Sequence, residues 1–333
     1  MIKRVLALCF LGICFFTSCT YYTSNYEEKD DYEIALIETC DKNLNSFDFV
    51  YDPINDETSY TYSINYKIVL DVYNSEIIGD ELNCPYKIEK NGELIHSAVG
   101  KIDLNKNLKA GVLLSFDDCY LNSWKNTVPL FKKYNKKATF FIYGSSNSIS
   151  STCIYLQNNG FEVGYHTLGH KNLMDKDSAT ILDEQVINPL YDFHKKYVYM
   201  YSFAFPNGLY VPYQITELLK YFRILRLFNN KVNLYSFNQI CKERVIVSQS
   251  IDKNKFSSDD DFKKKIFYRF CLSKITNKIY PCTSHEIVQN ILQTSNNYSI
   301  SEDRLEYMFE LMDDLKLKNY KYSDFYDGIF GEY

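Results

Sequence analysis

The run GVLLSFDD at residues 111–118 carries no charge until it ends in the adjacent carboxylates Asp117 and Asp118. A short apolar run with no alternation reads as a strand buried on both faces, the kind found in parallel sheets. Comparable runs follow at 137–144 (KATFFIYG), 161–166 (FEVGYH), 197–205 (YVYMYSFAF), 222–228 (FRILRLF), 243–250 (ERVIVSQS) and 278–284 (KIYPCTS). Helix-like stretches lie between most of them: 123–135 (SWKNTVPLFKKYN), 183–197 (DEQVINPLYDFHKKY), 213–222 (YQITELLKYF) and 260–274 (DDFKKKIFYRFCLSK). A last helix is expected over 301–319, opened by Ser301-Glu302-Asp303. Strands alternating with helices predict a parallel α/β sheet or a β/α barrel.

Polar residues gather where these strands end. Asp117, Asp118, His166, Asn207 and His285 all fall just past an apolar run, and in a β/α barrel that rim is where active sites are assembled. One carboxylate with His166 and His170 suits a divalent metal, and the second carboxylate is left for proton transfer, the minimum set for metal-assisted hydrolysis. Singly, each feature has a plainer reading. An Asp-Asp pair is commonly a cap or turn, a His-x-x-x-His pair a helix face, and one histidine a satisfied structural group. In this order, each after an apolar run, they form a candidate site. The remaining histidines, His96 and His194, have no second ligand at metal spacing and read as structural or solvated.

These residues resemble the polysaccharide deacetylase family, the NodB homology domain. Ser115-Phe116-Asp117-Asp118 matches its first motif, with Cys119 where glycine is usual, and His166-Thr167-Leu168-Gly169-His170 matches its second in full. Thr139-Phe140-Phe141 matches the second strand, Phe205-Pro206-Asn207-Gly208 keeps part of the third motif, and Ser284-His285-Glu286-Ile287 the late histidine strand. The resemblance implies a distorted (β/α) barrel over 109–333. It also implies that Asp118, His166 and His170 bind a divalent metal, with zinc the expectation, that Asp117 is the base and His285 the acid, and that the Asn207 backbone N–H is an oxyanion donor.

Two departures stand out. The third-motif arginine that holds the catalytic aspartate in many members is Ala204 here, and Arg223 or Arg226 on the next strand is the candidate replacement. Strand alternation lets only one of them face the interior, and Arg226, nearer the C-terminal end, is expected to orient Asp117. The partner that tunes the acid histidine has no motif match either. The only tryptophan, Trp124, lies in the helix after the first motif, leaving Asp252 as the candidate.

Ahead of this domain, residues 32–108 hold β-branched and aromatic runs such as YTYSINYKIVLDVYN (60–74) and an Asn91-Gly92 turn between YKIEK and ELIHSAV. They predict a small β-rich region containing a hairpin, either a separate module or strands packed on the larger domain. At the N-terminus, Lys3 and Arg4 precede an apolar stretch from Val5 to Phe16 that ends in Thr17-Ser18-Cys19, resembling a bacterial lipoprotein signal. Residues 1–18 are then a signal peptide, Cys19 the lipidated residue, and 19–31 a polar tether. This makes the chain an exported, membrane-anchored lipoprotein of the cell envelope.

The formal net charge of −5 argues against nucleic acid as a partner. No Cys-x-x-Cys pair suggests a zinc ribbon. The expected substrate is an acetylated polysaccharide, by removal of N-acetyl groups from N-acetylglucosamine units. The alternatives are O-deacetylation of a decorated polysaccharide, which uses the same attack, and a degenerate domain that binds glycans without turnover.

Overall fold

The computed structural model describes residues 48–52, 57–62, 66–90, 92–106, 109–174, 178–292 and 294–330. The signal segment, Cys19, the tether and Asn91 of the turn lie outside these residues, as does the side chain of His96.

The first six strands are β1 (Asp48–Asp52), β2 (Glu57–Tyr62), β3 (Tyr66–Leu70), β4 (Glu76–Ile78), β5 (Glu81–Lys90) and β6 (Glu93–Asp103). They form one antiparallel sheet in the order β1-β2-β3-β5-β4, with β6 also paired to β5. The expected hairpin is the β5–β6 pair, in which Lys90 faces Glu93 and a bulge falls at Ile88/Glu89. Leu82, Cys84, Tyr86 and Ile102 join the same apolar core as the helix Asp259–Ile275. Tyr73 stacks on Tyr268 of that helix at 4.5 Å between ring centroids, and the buried Lys274 Nζ donates to Leu104 O at 3.0 Å. These strands therefore pack on the larger unit.

That unit is a parallel barrel. Strands β7 (Gly111–Asp118), β8 (Thr139–Ile142), β9 (Glu162–Tyr165), β10 (Ser202–Ala204), β11 (Ile224–Asn229), β12 (Val245–Ser250) and β13 (Ile279–Ser284) lie side by side in chain order, and β13 pairs with β7 to close the ring. The closure is uneven, which makes the barrel a distorted one. β9 and β10 share the single pair Tyr165↔Phe203, and β7 changes partner along its length, from β16 (Lys318–Tyr320) at Gly111–Leu113 to β8 at Ser115–Asp118. The exchange depends on Gly111, where an added Cβ would lie 2.4 Å from Lys318 O. Strands β14 (Glu286–Val288) and β15 (Ser299–Ser301) form a separate parallel pair beyond β13.

Alternation along the strands separates two apolar layers. Leu113, Phe141, Ala204, Ile224, Ile246 and Ile279 form an inner cluster with Tyr322. Their neighbours Val112, Phe140, Phe203 and Leu225 belong to the outer layer. Two expected spans are shorter than their apolar patterns. The strand expected over 197–205 is only Ser202–Ala204, because Tyr197, Tyr199 and Tyr201 turn to solvent. The last helix ends at Asp314, after which Lys318–Tyr320 returns to the barrel as a strand.

Candidate metal and acid–base centre

The two carboxylates of β7 point to different places. Asp117 faces the barrel interior, 4% exposed, and its Oδ2 accepts a hydrogen bond from Arg226 Nη2. The guanidinium is itself buried, with its carbon 5.3 Å from the centre of the Phe141 ring. Arg226 sits on β11 opposite Ala204 on β10, so the cation enters the interior one strand over from the third-motif position and at the same height. Arg223 lies elsewhere, over the rings of Tyr201 and Tyr326 at 4.6 and 5.0 Å.

Asp118 leaves the strand with φ 86°, a left-handed conformation rare for a residue with a side chain. The usual motif glycine would sit at Cys119, yet the positive φ belongs to Asp118, so Cys119 adds no backbone strain there. Burial and the neighbouring Asp118 push the Cys119 thiol up, away from a thiolate.

Asp118 Oδ1 lies 3.1 Å from His170 Nε2 and 3.8 Å from His166 Nε2. Three ligand atoms, one from each of these residues, fall within 4.8 Å of one another. Oδ1 of Asp118 is buried, and no hydrogen bond satisfies it among the described residues. A buried carboxylate oxygen left unpaired between two imidazole nitrogens fits a cation better than it fits the protein alone. Burial drives His166 down to about 4 despite the attraction of Asp117, so it is a neutral imidazole available for ligation. Its Nδ1 meets Ala204 O at 2.8 Å, which assigns the proton to Nδ1 and leaves Nε2 free. Burial also works to raise Asp118, but the close approach of His170 and the electrostatic pull of the surrounding imidazoles outweigh it and lower its pKa.

The loop carrying the histidines is held from outside the motif. Thr167 and His170 both take positive φ, at 74° and 52°. Leu168 N donates to Gln185 O at 2.8 Å, and Gly169 N donates to Gln185 Oε1 at 3.1 Å. Gln185 lies in a π-type turn, Asp183–Ile187, at the start of the helical stretch expected from the sequence. Four residues on is Pro189, which has no N–H to give to the Gln185 carbonyl. The carbonyl is thereby free to hold the histidine loop.

His285 follows β13 directly. Its Nδ1 lies 2.9 Å from Asp252 Oδ2, and Ser250 Oγ and Ser284 Oγ donate to the two oxygens of Asp252 at 2.8 and 2.7 Å. Burial works to lower His285, but the hydrogen bond and charge of Asp252, with Asp117 and Asp118 behind, carry it up to about 9. Trp124 Nε1 donates to His285 O at 2.9 Å, so the tryptophan fixes the backbone of the histidine from a helix that the motif pattern did not connect to it. Asn207 stands in the turn Pro206–Gly208 with φ 55°. The bonds closing that turn come from Gly208 N and Leu209 N, leaving the Asn207 N–H out of both. Gly208 is required here, because a Cβ would come 2.8 Å from Phe228 O. His194 sits apart at a helix end, lowered by burial.

The polysaccharide deacetylase family model matches residues 105–219. The match spans Asp117, Asp118, His166, His170 and Asn207 and stops short of Arg226, Asp252 and His285. Over residues 105–219 the chain carries a polysaccharide deacetylase domain of the NodB type, the domain of a hydrolase. No curated protein matches the sequence. Solved structures similar to it include a peptidoglycan N-acetylglucosamine deacetylase, 18% identical over 66% of this chain and 89% of that one, with TM-score 0.46. A mutant of peptidoglycan deacetylase PdaC from Bacillus subtilis is 18% identical over 69% and 95%, with TM-score 0.42. A CE4 family pseudoenzyme from Bacillus anthracis is 15% identical over 84% and 89%, with TM-score 0.44.

Proposed function

We propose that the protein is a metal-dependent N-deacetylase acting on N-acetylglucosamine-containing polysaccharide of the cell wall or an exopolysaccharide. The observation that carries this is the division of labour between adjacent carboxylates: Asp117 is paired with a buried arginine, and Asp118 faces two histidines. Asp118, His166 and His170 would hold the cation, zinc being suited to one carboxylate and two imidazoles. Bound there, it would polarise the acetyl carbonyl and lower the pKa of water.

The proton work belongs to the chain. Asp117 Oδ1, buried and without a hydrogen-bond partner among the described residues, takes the proton of the attacking water while Oδ2 stays on Arg226. The Asn207 N–H donates to the acetyl oxygen as negative charge develops there. His285, held protonated by Asp252, passes a proton from Nε2 to the sugar nitrogen as the carbon–nitrogen bond breaks. The products are acetate and a free amine. An acid kept cationic through neutral pH suits an amide, whose nitrogen leaves only once protonated, better than an ester, and this favours N- over O-deacetylation. Loss of the third-motif arginine would favour a non-catalytic binder, and the Arg226–Asp117 pair supports the catalytic reading instead.

The same reading places the domain at the cell envelope, held by a lipid on Cys19. Metal content of single variants tests the assignment of the carboxylates: Asp117→Asn should retain zinc and lose turnover, while His166→Ala should lose both. Equal loss of metal in the two variants would show the carboxylate roles to be wrong.

A further inference from the structure

Beside the acid histidine, the rim carries a carboxylate that the chemistry above does not use. Glu286 is the residue after His285, half-buried at the start of β14. Its Oε2 accepts a hydrogen bond from Asn296 Nδ2 at 2.9 Å, and the same amide nitrogen lies 3.2 Å from the phenol oxygen of Tyr120, two residues past Asp118. Tyr120 and Glu286 are thus tied together across the rim, one anchored near the metal ligands and the other near the acid.

The cluster is held in place but not neutralised. Among the described residues Glu286 has no ion pair, and its other oxygen, Oε1, takes no hydrogen bond. Asn296 brings no charge. A half-buried carboxylate in this state is open to a cation from outside the protein. Close by, the ring of Tyr298 stands 5.5 Å from the ring of His285 and is 55% exposed, which offers a face on which a pyranose can stack.

We propose that Glu286, positioned by Asn296 and Tyr120, recognises the ammonium of a glucosamine residue next to the acetylated residue in the centre, so that partly deacetylated chains are preferred. The inference rests on the deacetylase reading, because that reaction makes the cation: each turnover converts a neutral acetamide into an ammonium on the same polymer. A site for that ammonium beside the acid would draw the enzyme back to chains on which it has already acted.

The test is calorimetric binding of a glucosamine hexamer and an N-acetylglucosamine hexamer at pH 6 to the zinc-loaded protein and to its Glu286→Gln variant, which keeps the shape and the acceptor for Asn296. The glucosamine hexamer should bind the variant about fivefold more weakly, as expected for loss of a partly exposed charge pair, and the acetylated hexamer should bind both alike. Equal weakening for the two oligomers would mean that Glu286 reads a hydroxyl, and no change for either would mean that it reads nothing. Either result overturns the proposal. Asn296→Ala, which frees the carboxylate without removing it, should give a smaller loss confined to the glucosamine hexamer. Acetate release from the acetylated hexamer is followed on the same samples. Its absence with the binding difference intact would count against the deacetylase reading and leave the cation site standing.

Discussion

Arg226 and Ala204 pair across β11 and β10 on the interior side of the barrel, so a cation lost from one strand is supplied by the next at the same level. Removing it leaves a buried carboxylate without its counter-charge. Arg226→Ala should cost about 3–5 kcal/mol of stability and lower kcat on the order of a hundredfold through misplacement of Asp117, with zinc content near that of the wild type. Zinc loss in step with activity would instead place the arginine in metal binding. At His285 the sign of the pH effect follows from a pKa raised from 6.5 to about 9. The acid form is present below that value, so kcat/KM should fall as pH rises through about 9. Asp252→Asn removes the hydrogen-bonded charge and should move this alkaline limb to lower pH. An unmoved limb in that variant would mean that another group sets it. The same shift implies that protonated His285 contributes stability fully present below pH 6.5 and lost as pH climbs through about 9.

Between elements, the clamp on the histidine loop depends on one helix being imperfect. Gln185 O is available to Leu168 N because Pro189 cannot donate to it. Pro189→Ala should let the helix reclaim that carbonyl, and Gln185→Leu should release Gly169; each is expected to weaken zinc affinity about tenfold, by analogy with partners that orient ligands from behind. Titration of the metal-free variants with zinc measures this, and unchanged affinity in both would reduce the clamp to a packing feature. Gly111→Ala should destabilise the fold by about 1–3 kcal/mol through the collision with β16, seen as a lower Tm with unchanged activity per folded molecule.

The barrel was legible because its apolar runs alternate with helix-like stretches, and Asp117, Asp118, His166, Asn207 and His285 were legible by one rule, each lying just past such a run. Asp252 obeys it too, two residues past β12, although no motif marks it. Other elements were hidden for physical reasons. The helix Ser146–Asn158 is rich in serine and asparagine and shows only a weak apolar face, Phe237–Glu243 is a two-turn helix, and β16 reads as a continuation of the helix before it. Gln185 and Trp124 act on backbone atoms of the histidine segments, a role that requires no spacing pattern, so neither was assigned to the site from sequence.

At the scale of the molecule, the β5–β6 strands rest on the helix Asp259–Ile275 that also backs β7 and β13, so the region before the barrel bears on the barrel itself. No described helix is long and apolar enough to cross a membrane. The anchor proposed from the N-terminal sequence is a lipid on Cys19, and Cys19→Ser should shift the protein from the membrane to the soluble fraction on cell fractionation, whereas a lipid-free mature N-terminus at another residue would contradict the anchor. The central claim, hydrolysis of an N-acetyl group by this one centre, is tested most directly by measuring free amine and acetate together after incubating the zinc-loaded protein with N-acetylated chito-oligosaccharide. The account predicts equal amounts of both, abolished by chelation, restored by zinc and absent in Asp117→Asn. No release from zinc-loaded wild-type protein, or release that persists in Asp117→Asn, would contradict it.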